Sequence, residues 1–152
     1  MTDVSLRRFR DTDADALRSL LTETVRQINQ RDYTAAQIAA WAPEDYDRQA
    51  WLKRLQQNQP IIAEVDGVIA GFADVQADGY IDHFFCSAAK QGQGVGRALM
   101  EHLLAHEYPR FYANVSITAR PFFERFGFRV VREQQVLIRG ETLTNYLMEK
   151  LL

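Results

Sequence analysis

The chain has 152 residues, enough for one domain with a sizeable core. Its hydrophobic content of 47% and charged content of 25% are ordinary for a globular protein in water. A net charge of −2 and a pI near 5.9 argue against a nucleic-acid binder built on phosphate contacts, and no apolar run approaches membrane-spanning length.

Residues 4–9 open the chain with Val4, Leu6 and Phe9 alternating against polar neighbours, the pattern of a strand. Residues 1–10 contain no apolar core, so no signal peptide is expected there. Acidic residues at 11–15 suit the start of a helix that runs to about Arg26, with Leu17, Leu20, Leu21 and Val25 at helical spacing. Thr34 with Gln37 fits a capping box, and Pro43 stops that short helix. A third helical stretch covers residues 47–57, with Trp51, Leu52 and Leu55 inward.

Residues 61–65 and 68–75 read as a hairpin around Asp66-Gly67. A second turn at Asp78-Gly79 leads into a strand at 80–86. The sequence Gln91-Gly92-Gln93-Gly94-Val95-Gly96-Arg97 follows, then a helical stretch over 98–107 that ends near Pro109. Residues 111–115 form a strand, and 118–126 a short helix closed by Gly127. Residues 128–138 and 143–151 make a last hairpin around Arg139-Gly140. The order β-α-α-α-β-β-β-α-β-α-β-β, with no linker or repeat, predicts one domain over residues 1–152. Its fold class is α/β of mixed α+β character: a single, largely antiparallel seven-stranded sheet with helices on both faces.

The triple-glycine segment carries the most information. A strand that turns through nearly bare backbone into a helix directs free N–H groups outward at the positive end of the helix dipole, which is an anion site. A P-loop is excluded because Gly96 is followed by Arg97 and Ala98 rather than by Lys and a hydroxyl residue. A dinucleotide fingerprint is excluded because, counted from Gly92, its third glycine falls on Arg97. The remaining pattern, Q-x-x-G-x-G through Gln91, Gly94 and Gly96, resembles the acetyl-CoA pyrophosphate loop of the GNAT N-acetyltransferases. The segment Ala119-Arg120-Pro121-Phe122-Phe123-Glu124-Arg125-Phe126-Gly127-Phe128 resembles that family's second signature, A-x-x-F-Y-x-x-x-G-F. It lies one helix and one strand downstream, where the family has it. The element order matches the GNAT fold as well, so the resemblance covers essentially the whole chain, most weakly over residues 30–58.

The resemblance implies acetyl-CoA as donor and direct attack of a substrate amine on the thioester. It implies a cleft between the strand at 80–86 and that at 111–115. Backbone groups of Phe84, Phe85 and Cys86 would hold the pantetheine arm, and the amides of Gln91, Gly92, Gln93, Gly94, Val95, Gly96 and Arg97 the pyrophosphate. A backbone N–H of the first group would also serve the oxyanion. Ser116 stands where relatives commonly have an Asn that contacts the cofactor arm. Phe123 stands where the family's usual leaving-group acid is a Tyr, so the acid must come from elsewhere or be dispensed with. Tyr112 and Tyr146 are the candidates.

An amine with a pKa near 10 is mostly protonated at neutral pH, so a base is needed. In relatives such groups project from the strand before the glycine loop. Tyr80 and Asp82 fit, and they share a face. His83 has the better intrinsic pKa but alternates to the other face unless the strand bulges. The acceptor pocket would draw on Tyr33, Trp41 and Tyr80, aromatic residues near acids that suit a small cationic amine. His102 and His106 have metal-compatible spacing but no evident third ligand, so no metal is expected.

The lone Cys86 excludes an internal disulfide and, without a motif-placed histidine, is read as structural rather than nucleophilic. The expected protein is a cytoplasmic small-molecule N-acetyltransferase, monomeric or homodimeric, with no nucleic-acid or membrane partner. An acyl-CoA-binding sensor or interaction domain with little turnover, and a protein or peptide N-acetyltransferase, are the alternatives.

Overall fold

Leu17, Leu21 and Val25 recur every fourth residue, so one stripe of a helix is apolar, and all three are buried in the computed structural model, which describes residues 3–90 and 92–152. Burying each such side chain contributes roughly 1.5–3 kcal/mol. That helix, α1 (Ala14–Gln27), follows β1 (Val4–Arg8). Asp13, at its start, does not cap it with its side chain. The Asp13 carboxylate instead accepts two hydrogen bonds from the Arg7 guanidinium, both at 2.9 Å.

The capping box at α2 (Ala35–Trp41) forms as the sequence predicts: Gln37 N donates to Thr34 Oγ1 at 3.1 Å and Thr34 N to Gln37 Oε1 at 2.8 Å. Asp47 caps α3 (Arg48–Asn58) through the amide of Ala50.

The strands are β2 (Ile61–Val65), β3 (Val68–Ala73), β4 (Tyr80–Ile81), β5 (Phe84–Cys86), β6 (Arg110–Ser116), β7 (Arg129–Ile138) and β8 (Glu141–Leu151). Between them lie α4 (Val95–Leu104) and α5 (Arg120–Arg125). Helix α4 begins three residues earlier than the sequence pattern suggests, because Gly94 is its N-cap and Gly96 already lies in its first turn.

The mixed, mainly antiparallel architecture is as expected, with one refinement. The stretch predicted as a single strand at 80–86 breaks at Asp82-His83, and hydrogen bonding divides the strands into two four-stranded sheets, β1-β2-β3-β5 and β4-β6-β8-β7. Strand β4 pairs parallel with β6 (Tyr80 opposite Tyr112), whereas β5 pairs antiparallel with β3 (Phe84 opposite Ala73). One continuous stretch of chain therefore leaves one sheet and enters the other, and the two sheets diverge where it crosses.

Alternation within the strands sends side chains to two cores. Ala63, Val65, Ile81, Ala113 and Val115 pack with Leu99, Met100 and Leu103 of α4 and Phe123 of α5. Ile62, Phe72 and Leu143 pack with Leu17, Leu21, Ile38, Trp51 and Leu55 from α1–α3. Helices thus cover both faces.

Candidate active site

A cleft of about 720 Å³ opens where the sheets part. Its walls are β5 on one side and Ala113, Asn114, Val115 and Ser116 of β6 on the other. The glycine segment, α5, Thr24 of α1 and Ile28 just beyond it complete the lining.

The glycine segment is built for an anion. Gly94 adopts φ +82° as the N-cap, a conformation that an L residue enters only at a cost. The first-turn N–H groups after it have no partner within the helix. A Cβ on Gly96 would sit 2.9 Å from the Phe122 ring, so any side chain there displaces the cleft wall. Gly92, Gly94, Val95, Gly96 and Arg97 all line the cleft, while Gln93 is not among the lining residues and Gln91 lies outside the described residues. Lys90 and Arg125 add two cations to the same wall. The sequence reading passed over both. Arg125 lies within the second signature, but its charge was hidden among aromatic positions read as core.

The edge of β5 that faces the cleft follows from its ladder. Asp74 N donates to His83 O at 3.1 Å and Ser87 N to Ala70 O at 2.7 Å, so these residues and Phe85 use their main chain toward β3. Phe84 and Cys86 direct theirs to the opposite edge. The Cys86 carbonyl is already taken, since Thr24 Oγ1 donates to it at 2.9 Å. Among the described residues, that leaves the N–H and C=O of Phe84 and the N–H of Cys86. Burial pushes the Cys86 thiol up to about 12, so it stays protonated and non-nucleophilic.

At the break between β4 and β5, Asp82 lines the cleft. Arg54 of α3 donates from Nε to Asp82 Oδ2 at 2.8 Å and from Nη2 to Oδ1, and Asn58 Nδ2 donates to Oδ2 at 2.7 Å. Burial opposes ionisation of Asp82, but the Arg54 hydrogen bond, the nearby His83 and the Asn58 amide outweigh it. The carboxyl sits below its usual range.

His83 turns away from the cleft. Its ring packs 5.4 Å from Trp51 and 5.9 Å from Phe72, and its Nδ1 is 2.8 Å from Asp74 Oδ2. His83 is buried and is not a cleft residue. Groups of Asp74, Asp82 and His83 converge within 4.8 Å of one another. Arg54, Asn58 and Asp74, which build this cluster, carry no motif in the sequence.

Other predicted residues divide. Phe84, Phe85, Cys86, Ser116, Phe123 and Trp41 line the cleft. Ser116 Oγ accepts from Asn29 Nδ2 at 3.3 Å and from Ala119 N at 3.0 Å, so it braces the turn into α5. Tyr33 does not reach the cleft. It is buried, donating to the carbonyl of Thr144 and accepting from Ile117 N at 3.0 Å, which ties the α1–α2 connection to the sheet.

Tyr80, Tyr112 and Tyr146 are likewise absent from the cleft lining. The Tyr112 hydroxyl donates to Asp78 Oδ2 at 2.6 Å, and the Tyr146 ring lies under the Arg120 guanidinium at 4.7 Å. The Tyr80 ring lies tilted against that of Tyr112 at 5.2 Å, and its hydroxyl accepts a long 3.4 Å bond from Asn114 Nδ2. Burial and the neighbouring Asp82 raise the pKa of Tyr80.

Comparison with known proteins gives this geometry a context. A family model described as an acetyltransferase (GNAT) domain matches residues 29–150. The chain is 32% identical over 148 residues to the uncharacterized N-acetyltransferase YafP of Escherichia coli strain K12, covering 97% of this chain and 96% of that one. Among solved structures, the GCN5-related N-acetyltransferase from Rhodopseudomonas palustris, also described as a class-II aminotransferase, superposes with a TM-score of 0.94 at 28% identity, covering all of this chain and 98% of that one. The PaiA N-acetyltransferase of Thermoplasma acidophilum, solved with coenzyme A, shares the fold at a TM-score of 0.73 and 17% identity, covering 99% of each chain. The putative acetyltransferase yncA of Salmonella typhimurium, solved with acetyl-CoA, does so at 0.70 and 20%, covering 99% of this chain and 94% of its own. Among the described residues, no helix is long and apolar enough to cross a membrane.

Proposed function

This chain belongs to the GNAT acetyltransferase family, and from that premise we propose that it transfers the acetyl group of acetyl-CoA to an amine of a small molecule. The observation that carries the reading is the cleft itself. First-turn amides of α4, which have no partner within the helix, line it with Lys90, Arg97 and Arg125, and the Asp82 carboxylate opens into the same cavity. Two relatives of the same fold were solved with coenzyme A or acetyl-CoA, which supports that choice of donor.

In this reading the diphosphate rests on the amides of Gly94 to Arg97, and the pantetheine arm lies along the free main-chain edge of Phe84 and Cys86. An N–H of that edge holds the thioester oxygen as negative charge develops on it. The amine nitrogen attacks the carbonyl carbon, a C–N bond forms, and the C–S bond breaks to release CoA as thiolate. Asp82 is the base. An ionised carboxylate cannot strip a free ammonium whose pKa is near 10, a mismatch of several units. It can orient a neutral amine and take its proton as C–N bond formation acidifies the nitrogen. A thiol pKa near 8.5 lets CoA leave without an acid.

The test is thiol release from acetyl-CoA across a panel of amines, polyamines, aminoglycosides and peptides, with the acetylated product identified by mass. Amine-stimulated release with a small-molecule product is expected. Acetylation confined to peptides would move the acceptor assignment to proteins. Tight CoA binding without amine-stimulated release would favour a second reading, a CoA-binding module with little turnover. The buried Phe123, which brings no hydroxyl to the cleft, is the observation on that side.

A further inference from the structure

Asp74 directly follows β3, and its side chain has no solvent exposure. A carboxylate so placed is costly unless every lone pair is used. Here four donors reach it. Its Oδ1 accepts the backbone N–H of Asp82 at 3.1 Å and of His83 at 3.2 Å. Its Oδ2 accepts from His83 Nδ1 at 2.8 Å and from Asn58 Nδ2 at 3.3 Å. Successive N–H groups of a strand point to opposite edges, so one oxygen cannot take two in a row unless the strand is broken there. The residues clamped are the two at which β4 leaves one sheet and β5 enters the other.

We propose that Asp74 is a positioning residue for catalysis. By gathering the amides of Asp82 and His83 onto one buried oxygen, it parts the sheets and turns the Asp82 carboxylate into the cleft. This rests on the reading of Asp82 as the base. His83 then has a different role from the alternative base considered from sequence. Its Nδ1 is committed to Asp74, and its ring is caged by Trp51, Phe72 and Phe85, so it locks the clamp. Asn58 bridges the two carboxylates, donating 3.3 Å to Asp74 and 2.7 Å to Asp82. A base displaced by about 1 Å loses on the order of 10²-fold in rate.

The experiment is a double-mutant cycle in the full-length chain, Asp74→Asn against Asp82→Asn, with kcat and the KM for acetyl-CoA measured for each. Asparagine keeps one acceptor oxygen but turns an N–H₂ toward donors, so the clamp loosens without an empty space. The expected result is a kcat lower by about 10²-fold in Asp74→Asn, a KM for acetyl-CoA within about twofold of the parent, and a double variant no slower than Asp82→Asn alone.

Multiplying losses, or a raised KM with kcat intact, would overturn the proposal. A slow Asp82→Asn beside a full-rate Asp74→Asn would leave the base standing and overturn the clamp alone. A full rate in Asp82→Asn would remove the base and with it the clamp's purpose. If circular dichroism shows Asp74→Asn unfolded, His83→Phe takes its place, since it removes one donor and keeps the ring packing. The same pattern with a smaller fall in kcat is expected, and a His83→Phe, Asp82→Asn double variant slower than Asp82→Asn would overturn the proposal.

Discussion

Arg54 of α3 grips Asp82, with Nε on one carboxylate oxygen at 2.8 Å and Nη2 on the other. The guanidinium is 55% exposed while the carboxylate is only 6% exposed, so a surface cation controls a buried anion. Two opposed forces act on Asp82. Burial raises its pKa, and Arg54, His83 and Asn58 lower it further than burial raises it. Arg54→Met keeps the aliphatic stem and removes the charge and both hydrogen bonds. With the Arg54 contributions gone, the balance moves toward burial, and the Asp82 pKa is expected to rise. Carboxyl-selective NMR titration reads this directly, and an unchanged or lower pKa would refute it. The sign for stability follows. A depressed carboxyl stabilises the fold above the unfolded value of 3.8, and that contribution is lost as pH falls through the lower folded value. Acid unfolding of Arg54→Met should therefore begin at higher pH than in the parent chain.

Elsewhere in the cleft lining, the glycine segment separates backbone conformation from ligand charge. Gly94 has φ +82°, and a Cβ there meets nothing within 4 Å. Gly94→Ala is expected to lose about 1–2 kcal/mol of stability through left-handed strain and to keep its affinity for CoA. Gly94→Glu bears the same strain and adds a carboxylate where the diphosphate would lie. Calorimetry should detect no CoA binding by the Glu variant, with circular dichroism still showing a folded chain. Equal CoA affinity in the two variants would move the diphosphate away from this loop.

How much of this was legible from sequence depends on whether a feature is local. The glycine pattern, the capping box of Thr34 and Gln37, and the turns at Asp66-Gly67 and Arg139-Gly140 follow from adjacent residues, and the chain forms each of them. The break in the 80–86 stretch was not legible. It coincides with a carboxylate eight residues upstream reaching two amides, and no spacing rule connects to Asp82 the arginine of α3 that holds its side chain. Tyr33 shows the same limit. An aromatic beside acids suggested an acceptor pocket, yet its hydroxyl is spent on main-chain groups of Thr144 and Ile117, both more than eighty positions away.

That bridge makes Tyr33 a stability residue. Tyr33→Phe leaves a buried aromatic of nearly the same shape but strands the Ile117 N–H, which should cost about 1–3 kcal/mol. Because the hydroxyl does not line the cleft, kcat per folded molecule should stay near the parent value. Thermal denaturation and steady-state kinetics on the same preparation decide the matter. An intact melting temperature with a collapsed kcat would return Tyr33 to the acceptor site.

Phe123 allows the last test of the chemistry. It lies in the cleft wall, 4% exposed, with Phe84 at 5.7 Å and Phe128 at 5.1 Å around its ring. If CoA departs as a free thiolate, an acid matters only below the thiol pKa, near 8.5. Phe123→Tyr supplies a hydroxyl at the position where the family's second signature carries one. Its kcat is expected to exceed that of the parent by up to about 10²-fold near pH 7, and the two profiles should converge above pH 9. The hydroxyl costs stability if it finds no partner among those rings, on the order of 1–3 kcal/mol, so the melting temperature should fall as the rate rises. Identical kcat values at pH 7 would show that departure of the thiolate does not limit turnover, and that the loss of the tyrosine is tolerated because a different step sets the pace.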